Sequence, residues 1–166
     1  MVTGNKEATE TGSRDVVITR VLDASREAVW RAWTEPERFM KWWGPAIFTS
    51  PRCEIDLRVG GKFLWVMRWP DGRDNFNTGT YLEIVPPERL VYVTSFADEH
   101  GNAVPATHYG MSADIAMEMH VTVTFEDDGV RTTMTVTHAG LPAGEMSESA
   151  RQGWNESFDK LAASLR

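Results

Sequence analysis

Residues 145–165 read EMSESARQGWNESFDKLAASL and carry the clearest periodic pattern of the chain. Apolar side chains recur at steps of three and four residues, which places them on one stripe of a helix. The members of this stripe are Met146, Ala150, Trp154, Phe158, Leu161 and Leu165. Gly153, beside Trp154, lets the helix approach another element closely. The stretch therefore predicts one long C-terminal helix with a continuous apolar face to bury.

Strand-like stretches occupy most of the chain before this helix. They alternate apolar and polar residues and end at glycine-rich or proline-rich turns, which is typical of antiparallel strands. Strands are predicted over residues 15–24, 51–59, 62–69, 76–85, 89–96, 117–126 and 130–139. Two short helices follow the first strand, one after the N-cap Ser25 and one opened by the capping-box spacing of residues 34–37. The predicted fold class is α+β, a curved antiparallel sheet of about six to seven strands around a long C-terminal helix.

Composition limits the classes of protein to which the chain can belong. It has 166 residues, one cysteine, 42% hydrophobic residues and a formal charge of −7, which fits a single domain over residues 15–166. Residues 1–14 are mostly small or polar and are predicted to form a disordered tail. The negative charge argues against a nucleic-acid partner, and no segment is predicted to span a membrane. A single cysteine is typical of a cytoplasmic protein without disulfides.

Large apolar side chains are abundant, with seven Trp, seven Phe and eight Met. Such side chains fill cores and also line ligand pockets. Trp33, Trp42 and Trp43 are expected to pack the short helices against the sheet. A second set, on the strands and the last helix, is expected to converge on the interior and to bind a ligand there: Trp65, Met67, Trp69, Met117, Met119, Met134, His138, Trp154 and Phe158. Two interpretations stay open, because these side chains either line a cavity or fill it.

Histidine and tyrosine side chains are the candidates for acid–base chemistry. Strand alternation turns His138 towards the interior, where an imidazole needs a hydrogen-bond partner. His100, His108 and Tyr109 lie in residues 97–116, a long segment without a clear period that is typical of a binding loop or a lid. These groups act as catalytic acids or bases only where the fold brings them together. Metal-ligand spacings and phosphate-binding motifs are absent from the sequence, so neither a metal nor a cofactor is expected.

Several motifs occur in an order that points to a known superfamily. They are AVWRAWTEP (28–36), WWGP (42–45), GGKF (60–63), MR (67–68), PDG (70–72), GTYLEI (79–84), PPERL (86–90), TH (137–138) and GW (153–154). Together they resemble the SRPBCC (START-like) superfamily and, within it, homologues of the activator of the heat-shock-protein ATPase, from residue 15 to the end. The resemblance implies the helix-grip fold, with a deep hydrophobic cavity between sheet and helix. Its members include lipid carriers, hormone binders and polyketide cyclases, so the fold does not fix the activity.

Three functional hypotheses follow from the residues and the resemblance. The first is binding of a small, mostly apolar molecule, lipid-like or aromatic, in the cavity. The second is a polyketide cyclase/aromatase-like or hydrolytic enzyme that uses the same cavity, with His138, or His100, His108 and Tyr109, as catalytic residues. The third is a module that binds a chaperone or another protein through the outer face of the sheet. A monomer or a homodimer fits each of the three.

Overall fold

Eight antiparallel strands form one sheet in the computed structural model, which describes residues 15–166. The strands are β1 (Val16–Leu22), β2 (Cys53–Ile55), β3 (Lys62–Arg68), β4 (Asp74–Val85), β5 (Arg89–Ala97), β6 (Ala103–Val104), β7 (Met119–Asp127) and β8 (Thr132–Ala139). The helices are α1 (Arg26–Thr34), α2 (Pro36–Phe39), α3 (Glu145–Ser164) and a 3-10 helix at Ala106–Tyr109. The tail predicted at residues 1–14 lies outside the described residues.

The order of strands across the sheet is β1-β8-β7-β5-β4-β3-β2, and β6 pairs with the end of β5. The register places Val121 of β7 between Tyr92 of β5 and His138 of β8. In the two strands beyond β5, Asn77 of β4 lies opposite Trp65 of β3. Because alternate residues of a strand point to one face, these side chains share the concave side of the sheet.

The C-terminal helix α3 packs on this concave side. Its predicted apolar stripe faces the sheet, and Trp154 and Phe158 are buried. Arg20 of β1 attaches the helix to the edge of the sheet, since its guanidinium donates to the Asp159 carboxylate at 3.0 Å and to the Asn155 carbonyl at 3.0 Å. The sheet and the helix confirm the predicted α+β helix-grip fold.

Two short helices close one end of the concave side. The Ser25 hydroxyl accepts a backbone N–H from the first turn of α1 at 3.2 Å, as predicted. The capping box predicted at residues 34–37 does not form, because Thr34 is still the last residue of α1 and its hydroxyl donates to the Trp30 carbonyl at 2.9 Å. Glu35 is therefore the N-cap residue of α2, and its side chain makes no capping hydrogen bond.

The strand predicted over residues 51–59 is reduced to the three residues of β2. A Cβ atom at Gly61 would lie 2.1 Å from the carbonyl oxygen of Asp56, so only glycine permits this close approach of two backbone segments. The turn thus begins before the apolar alternation of the sequence ends. Leu57 and Val59 are exposed as a result.

Aromatic side chains fill one end of the space between sheet and helix. Trp33, Phe125 and Phe158 are fully buried, and the ring centroids of Phe125 and Phe158 lie 6.5 and 6.4 Å from that of Trp33. The Trp33 indole donates to the Met134 sulfur at 3.3 Å, and the Trp42 indole donates to a backbone carbonyl of α1 at 2.9 Å. The packing role predicted for Trp33 and Trp42 is confirmed.

Candidate functional site

A cavity of about 310 Å³ lies between the concave face of the sheet and α3. Its floor is formed by alternate residues of five strands. The floor residues are Trp65, Met67, Asn77, Tyr92, Thr94, Phe96, Met119, Val121 and His138. This volume is at the lower end of the range for small-molecule sites, and it corresponds to about ten water molecules of ~30 Å³ each.

The remaining lining comes from α3 and from three loops. The helix contributes Met146, Ser149, Ala150, Gly153, Trp154 and Ser157. The loops contribute Trp43, Gly44, Pro45, Met111, Ile115 and Leu141. Within the described part of the chain, none of the lining side chains is an Asp, Glu, Lys or Arg. The cavity is therefore a mostly apolar and uncharged space with a few neutral polar groups.

The imidazole of His138 connects the helix to the sheet. The Trp154 indole N–H donates to His138 Nδ1 at 3.0 Å. An indole nitrogen is only a donor, so Nδ1 accepts and carries no proton. The neutral ring then carries its proton on Nε2, which lies 3.2 Å from the Met119 sulfur and donates to it. Trp154, His138 and Met119 thus form a chain of hydrogen bonds along one side of the cavity.

Burial lowers the pKa of His138 from its ordinary value of 6.5 to about 4, because apolar surroundings disfavour the charged imidazolium. The side chain is neutral at neutral pH. Its Nδ1 lone pair is bonded to the indole and its Nε2 already holds a proton. A general base needs a free lone pair. In this arrangement His138 therefore positions the neighbouring side chains and cannot accept a proton from a substrate.

The segment over residues 97–116 covers part of the cavity. It contributes the side chains of Met111 and Ile115 to the rim. Tyr109 anchors the segment to the sheet, since its hydroxyl donates to the Ala97 carbonyl and accepts the Phe76 N–H. The segment predicted to be irregular therefore contains β6 and a 3-10 helix. Tyr109, a predicted catalytic candidate, attaches this segment to the sheet.

A second loop is attached to α3 by hydrogen bonds to its backbone. Lys160 donates to the carbonyls of Pro45 and Phe48 at 3.1 and 2.9 Å, and the Glu156 carboxylate accepts the Ala46 N–H at 3.0 Å. Partial burial lowers the pKa of Lys160. These bonds fix the part of the rim that carries Trp43, Gly44 and Pro45, so the mouth of the cavity is held by the helix itself.

The structure brings five of the nine predicted binding residues to the cavity and leaves four away from it. Those on the cavity are Trp65, Met67, Met119, His138 and Trp154. Those away from it are Trp69, Met117, Met134 and Phe158.

The four displaced residues have identifiable positions elsewhere. Met134 and Phe158 are fully buried in the aromatic core, so they fill space and line none. Met117 is 46% exposed, because β7 begins only at Met119 and the predicted alternation starts two residues too early. Trp69 packs against Phe48 outside the cavity, with 4.5 Å between ring centroids.

The proposed catalytic residues do not converge. His100 is 75% exposed beside Glu99, and His108 packs edge-on against Tyr109 on the outside of the 3-10 helix. Neither these two histidines nor Tyr109 lines the cavity. Only His138 among the four candidates lines the cavity, and it does so as a neutral ring with both nitrogens bonded.

Most of the lining residues were missed by sequence reasoning, and three of them bear on the chemistry of the site. Trp43 packs on Phe39 as expected, with 4.9 Å between ring centroids, and it also lies at the rim of the cavity. Asn77 and Tyr92 are buried polar residues on the floor, with 8% and 1% of their surface exposed. Strand alternation could have identified part of the floor, because it places Tyr92 and Thr94 on one face of β5.

A larger depression of about 490 Å³ lies on the opposite face of β2, β3 and β4. It is open to solvent, and its charged side chains include an exposed Arg52–Glu54 ion pair of 2.5 Å. Such exposed and mutually neutralised charges are typical of a solvated sheet surface. The thiol of Cys53 on the other face has a pKa raised to about 12 by burial, which makes it a poor nucleophile. The mostly apolar cavity beneath α3 is therefore the better candidate site.

A metal-binding cluster and a membrane-spanning helix are both absent from residues 15–166. No group of three or more His, Cys, Asp or Glu side chains there is arranged to hold a metal ion. No helix in the same range combines the length and the apolar character needed to cross a membrane.

Known structures share this architecture. A crystal structure from Nitrosomonas europaea is 26% identical, covers 91% of this chain and 93% of its own, and has a TM-score of 0.73. One from Chromobacterium violaceum is 28% identical over 91% and 96%, with a TM-score of 0.72. A solution structure from Arthrobacter aurescens is 26% identical over 91% and 85%, with a TM-score of 0.73.

Sequence comparison gives the same result at the level of the family. No curated protein matches the chain. The model of the family described as "Activator of Hsp90 ATPase homolog 1-like protein" matches residues 23–166, which include the helices, the rim loops and the whole cavity floor. The chain therefore belongs to the family of Activator of Hsp90 ATPase homolog 1-like proteins.

Proposed function

We propose that this protein binds a small, mostly apolar molecule, lipid-like or aromatic, in the cavity between the sheet and α3. The observation that carries the proposal is the space of about 310 Å³ beside a core that is otherwise filled by aromatic rings. Small side chains on α3, among them Ala150 and Gly153, leave the space open. Concave, largely apolar sites with a few polar groups are the usual form of small-molecule sites.

The aromatic lining supports a flat ligand. Trp65 is stacked on Phe63 with 3.8 Å between ring centroids, and its centroid lies 4.7 Å from that of Trp43. The indole of Trp154 is fixed by its bond to His138. Rings held in place in this way bind planar groups at a low cost in conformational entropy.

The other two hypotheses have no comparable observation in their favour. Acid–base catalysis in the cavity requires a group with a free lone pair, and His138 has none in this arrangement. A chaperone partner, a monomeric or dimeric state and a cytoplasmic location stay predictions from the sequence. Binding without turnover is accordingly the function that we propose.

Native mass spectrometry of freshly purified protein tests the proposal directly, since a retained ligand adds its mass to that of the chain. A second test is the fluorescence of N-phenyl-1-naphthylamine, an uncharged apolar probe that becomes bright in a dry site. Ala150→Trp inserts an indole into the cavity and should abolish the signal. Ala163→Trp adds the same side chain at an exposed position of α3 and is the matched control. A probe that binds both variants equally would refute the proposal.

A further inference from the structure

The hydroxyl of Tyr92 lacks a hydrogen-bond partner within residues 15–166. The side chain is 1% exposed and forms part of the cavity floor. Its ring is fixed edge-on between Phe63 and Trp65, with centroid distances of 5.4 and 5.1 Å, so the hydroxyl cannot turn away to solvent. The Tyr92 hydroxyl is therefore a polar group of the cavity floor that is free to hydrogen-bond to a bound molecule.

The carboxamide of Asn77 is in a similar position. It is 8% exposed and lines the cavity. Its nitrogen donates to the Ser95 carbonyl at 3.5 Å, the limit of a hydrogen bond, and its oxygen has no partner in the described chain. If the two amide atoms are exchanged, one of them still lacks a partner. Asn77 lies opposite Phe96, four residues along β5 from Tyr92, so the two polar groups belong to different parts of the floor.

Two other polar side chains of the floor and helix are bonded within the protein, whereas the indole nitrogens of Trp43 and Trp65 are buried donors without a partner in the described residues. Thr94 donates to the Thr78 carbonyl at 3.3 Å, and Ser157 donates to the Gly153 carbonyl at 3.0 Å. Both nitrogens of His138 are bonded as described above. No charged side chain of the described residues lines the cavity, so an ionised ligand group would be buried without a counter-ion.

We infer that the ligand is an uncharged aromatic molecule whose hydroxyl or carbonyl groups hydrogen-bond to Tyr92 and Asn77. The inference rests on the proposed function and narrows its ligand class, because a carboxylate, a phosphate or an ammonium group is disfavoured. Tyr92 both donates and accepts, and the amide of Asn77 does the same, so phenols and ketones satisfy them equally well. Burial raises the pKa of Tyr92, which keeps its hydroxyl protonated and able to donate.

Three probes of one shape test the inference: naphthalene, 2-naphthol and 2-naphthoate, titrated at pH 7 by calorimetry. The wild-type protein should bind 2-naphthol about fivefold more tightly than naphthalene, the gain of one hydrogen bond. It should bind 2-naphthoate about a hundredfold more weakly than 2-naphthol, since the carboxylate loses its hydration. Equal affinities for all three, or tightest binding of 2-naphthoate, would overturn the inference.

Variants assign the preference to the two side chains. In a protein with both Tyr92→Phe and Asn77→Leu, naphthalene should bind as before and the advantage of 2-naphthol should disappear. Tyr81→Phe is the matched control, because Tyr81 lies directly opposite Tyr92, is buried and has an unpartnered hydroxyl, but does not line the cavity. An advantage that survives in the double variant would also contradict the inference.

The outcomes separate this inference from the function on which it rests. If naphthalene binds the wild-type protein and the hydroxyl brings no gain, apolar binding stands and only the polar recognition fails. If none of the three probes binds, the proposed function fails together with the inference. Melting temperatures of the variants show whether they are folded, and the comparison of probes on the wild-type protein needs no variant.

Discussion

Replacing His138 by glutamine should change how the stability of the protein depends on pH. The imidazole is buried and neutral, with a pKa lowered from 6.5 to about 4 by burial. In the unfolded chain the same group takes up a proton near pH 6.5. Between these values the unfolded state binds more protons than the folded state, so stability falls as the pH drops from 6.5 to about 4. His138→Gln keeps a hydrogen-bond acceptor near Trp154 and removes the titration.

The size of the effect follows from the two pKa values. A change from 6.5 to about 4 corresponds to about 3 kcal/mol, at ~1.36 kcal/mol for each pH unit. The full contribution is present above pH 6.5 and is lost at about pH 4. Carboxylates with lowered pKa, such as Asp98 and Asp128, also reduce stability in acid, but they are shared by both proteins and cancel in the difference.

Urea denaturation of both proteins at a series of pH values between 4 and 8 measures this difference. The free energy of unfolding of the wild-type protein, relative to His138→Gln, should fall by about 3 kcal/mol between pH 7 and pH 4. His120→Gln removes a histidine from the exposed face of β7 and is the control. Parallel curves for the wild-type and His138→Gln proteins would refute the assignment of a buried neutral ring. So would a wild-type protein that becomes more stable, relative to His138→Gln, as the pH falls.

Three further substitutions test the packing by their effect on the free energy of unfolding in urea. Gly153→Ala should raise it by about 1 kcal/mol, because the new Cβ meets Pro45 at an ordinary contact of 3.4 Å while the helix propensity improves; a loss would show that the loop presses closer to α3. Met134→Ala should lower it by about 2–5 kcal/mol as a core cavity forms, whereas Met117→Ala at its exposed site should change it by less than about 0.5 kcal/mol; equal effects would contradict the assigned burial. Ser25→Ala should lower it by about 1 kcal/mol through loss of the N-cap, and no change would mean that the cap contributes nothing.

The fold was largely predictable because its signals are local and repeated. The stripe of α3 and the alternation of β7 and β8 each extend over many residues, and these elements are found within two residues of their predicted bounds. The errors lie where a single backbone contact overrides the pattern. Residues 56–59 continue to alternate, yet the close approach at Gly61 turns the chain before they can pair. The hydroxyl of Thr34 bonds backwards into α1, so it is not free to cap α2.

The site was predictable only in part, because alternation gives the face of a strand and not the depth beneath the helix. Met119 and Met134 both point to the concave side, yet Met119 lies opposite Thr94 at the cavity and Met134 lies opposite Phe125 in the core. Adjacent residues can differ in the same way. Trp43 lies at the rim of the cavity, whereas Trp42 is fully buried in the core. Depth depends on where α3 crosses the sheet, which no local pattern encodes.

A ligand of the cavity should stabilise the folded protein, because a molecule that binds only the folded state shifts the unfolding equilibrium towards it. The apolar lining gives such a ligand a favourable contact area. Tyr92 and Asn77 add polar groups that have no full set of hydrogen bonds within the described residues. At about a hundred times its Kd, 2-naphthol should therefore raise the free energy of unfolding by ~2.7 kcal/mol, and an unchanged value at that concentration would mean that it binds the unfolded chain as well as the folded protein.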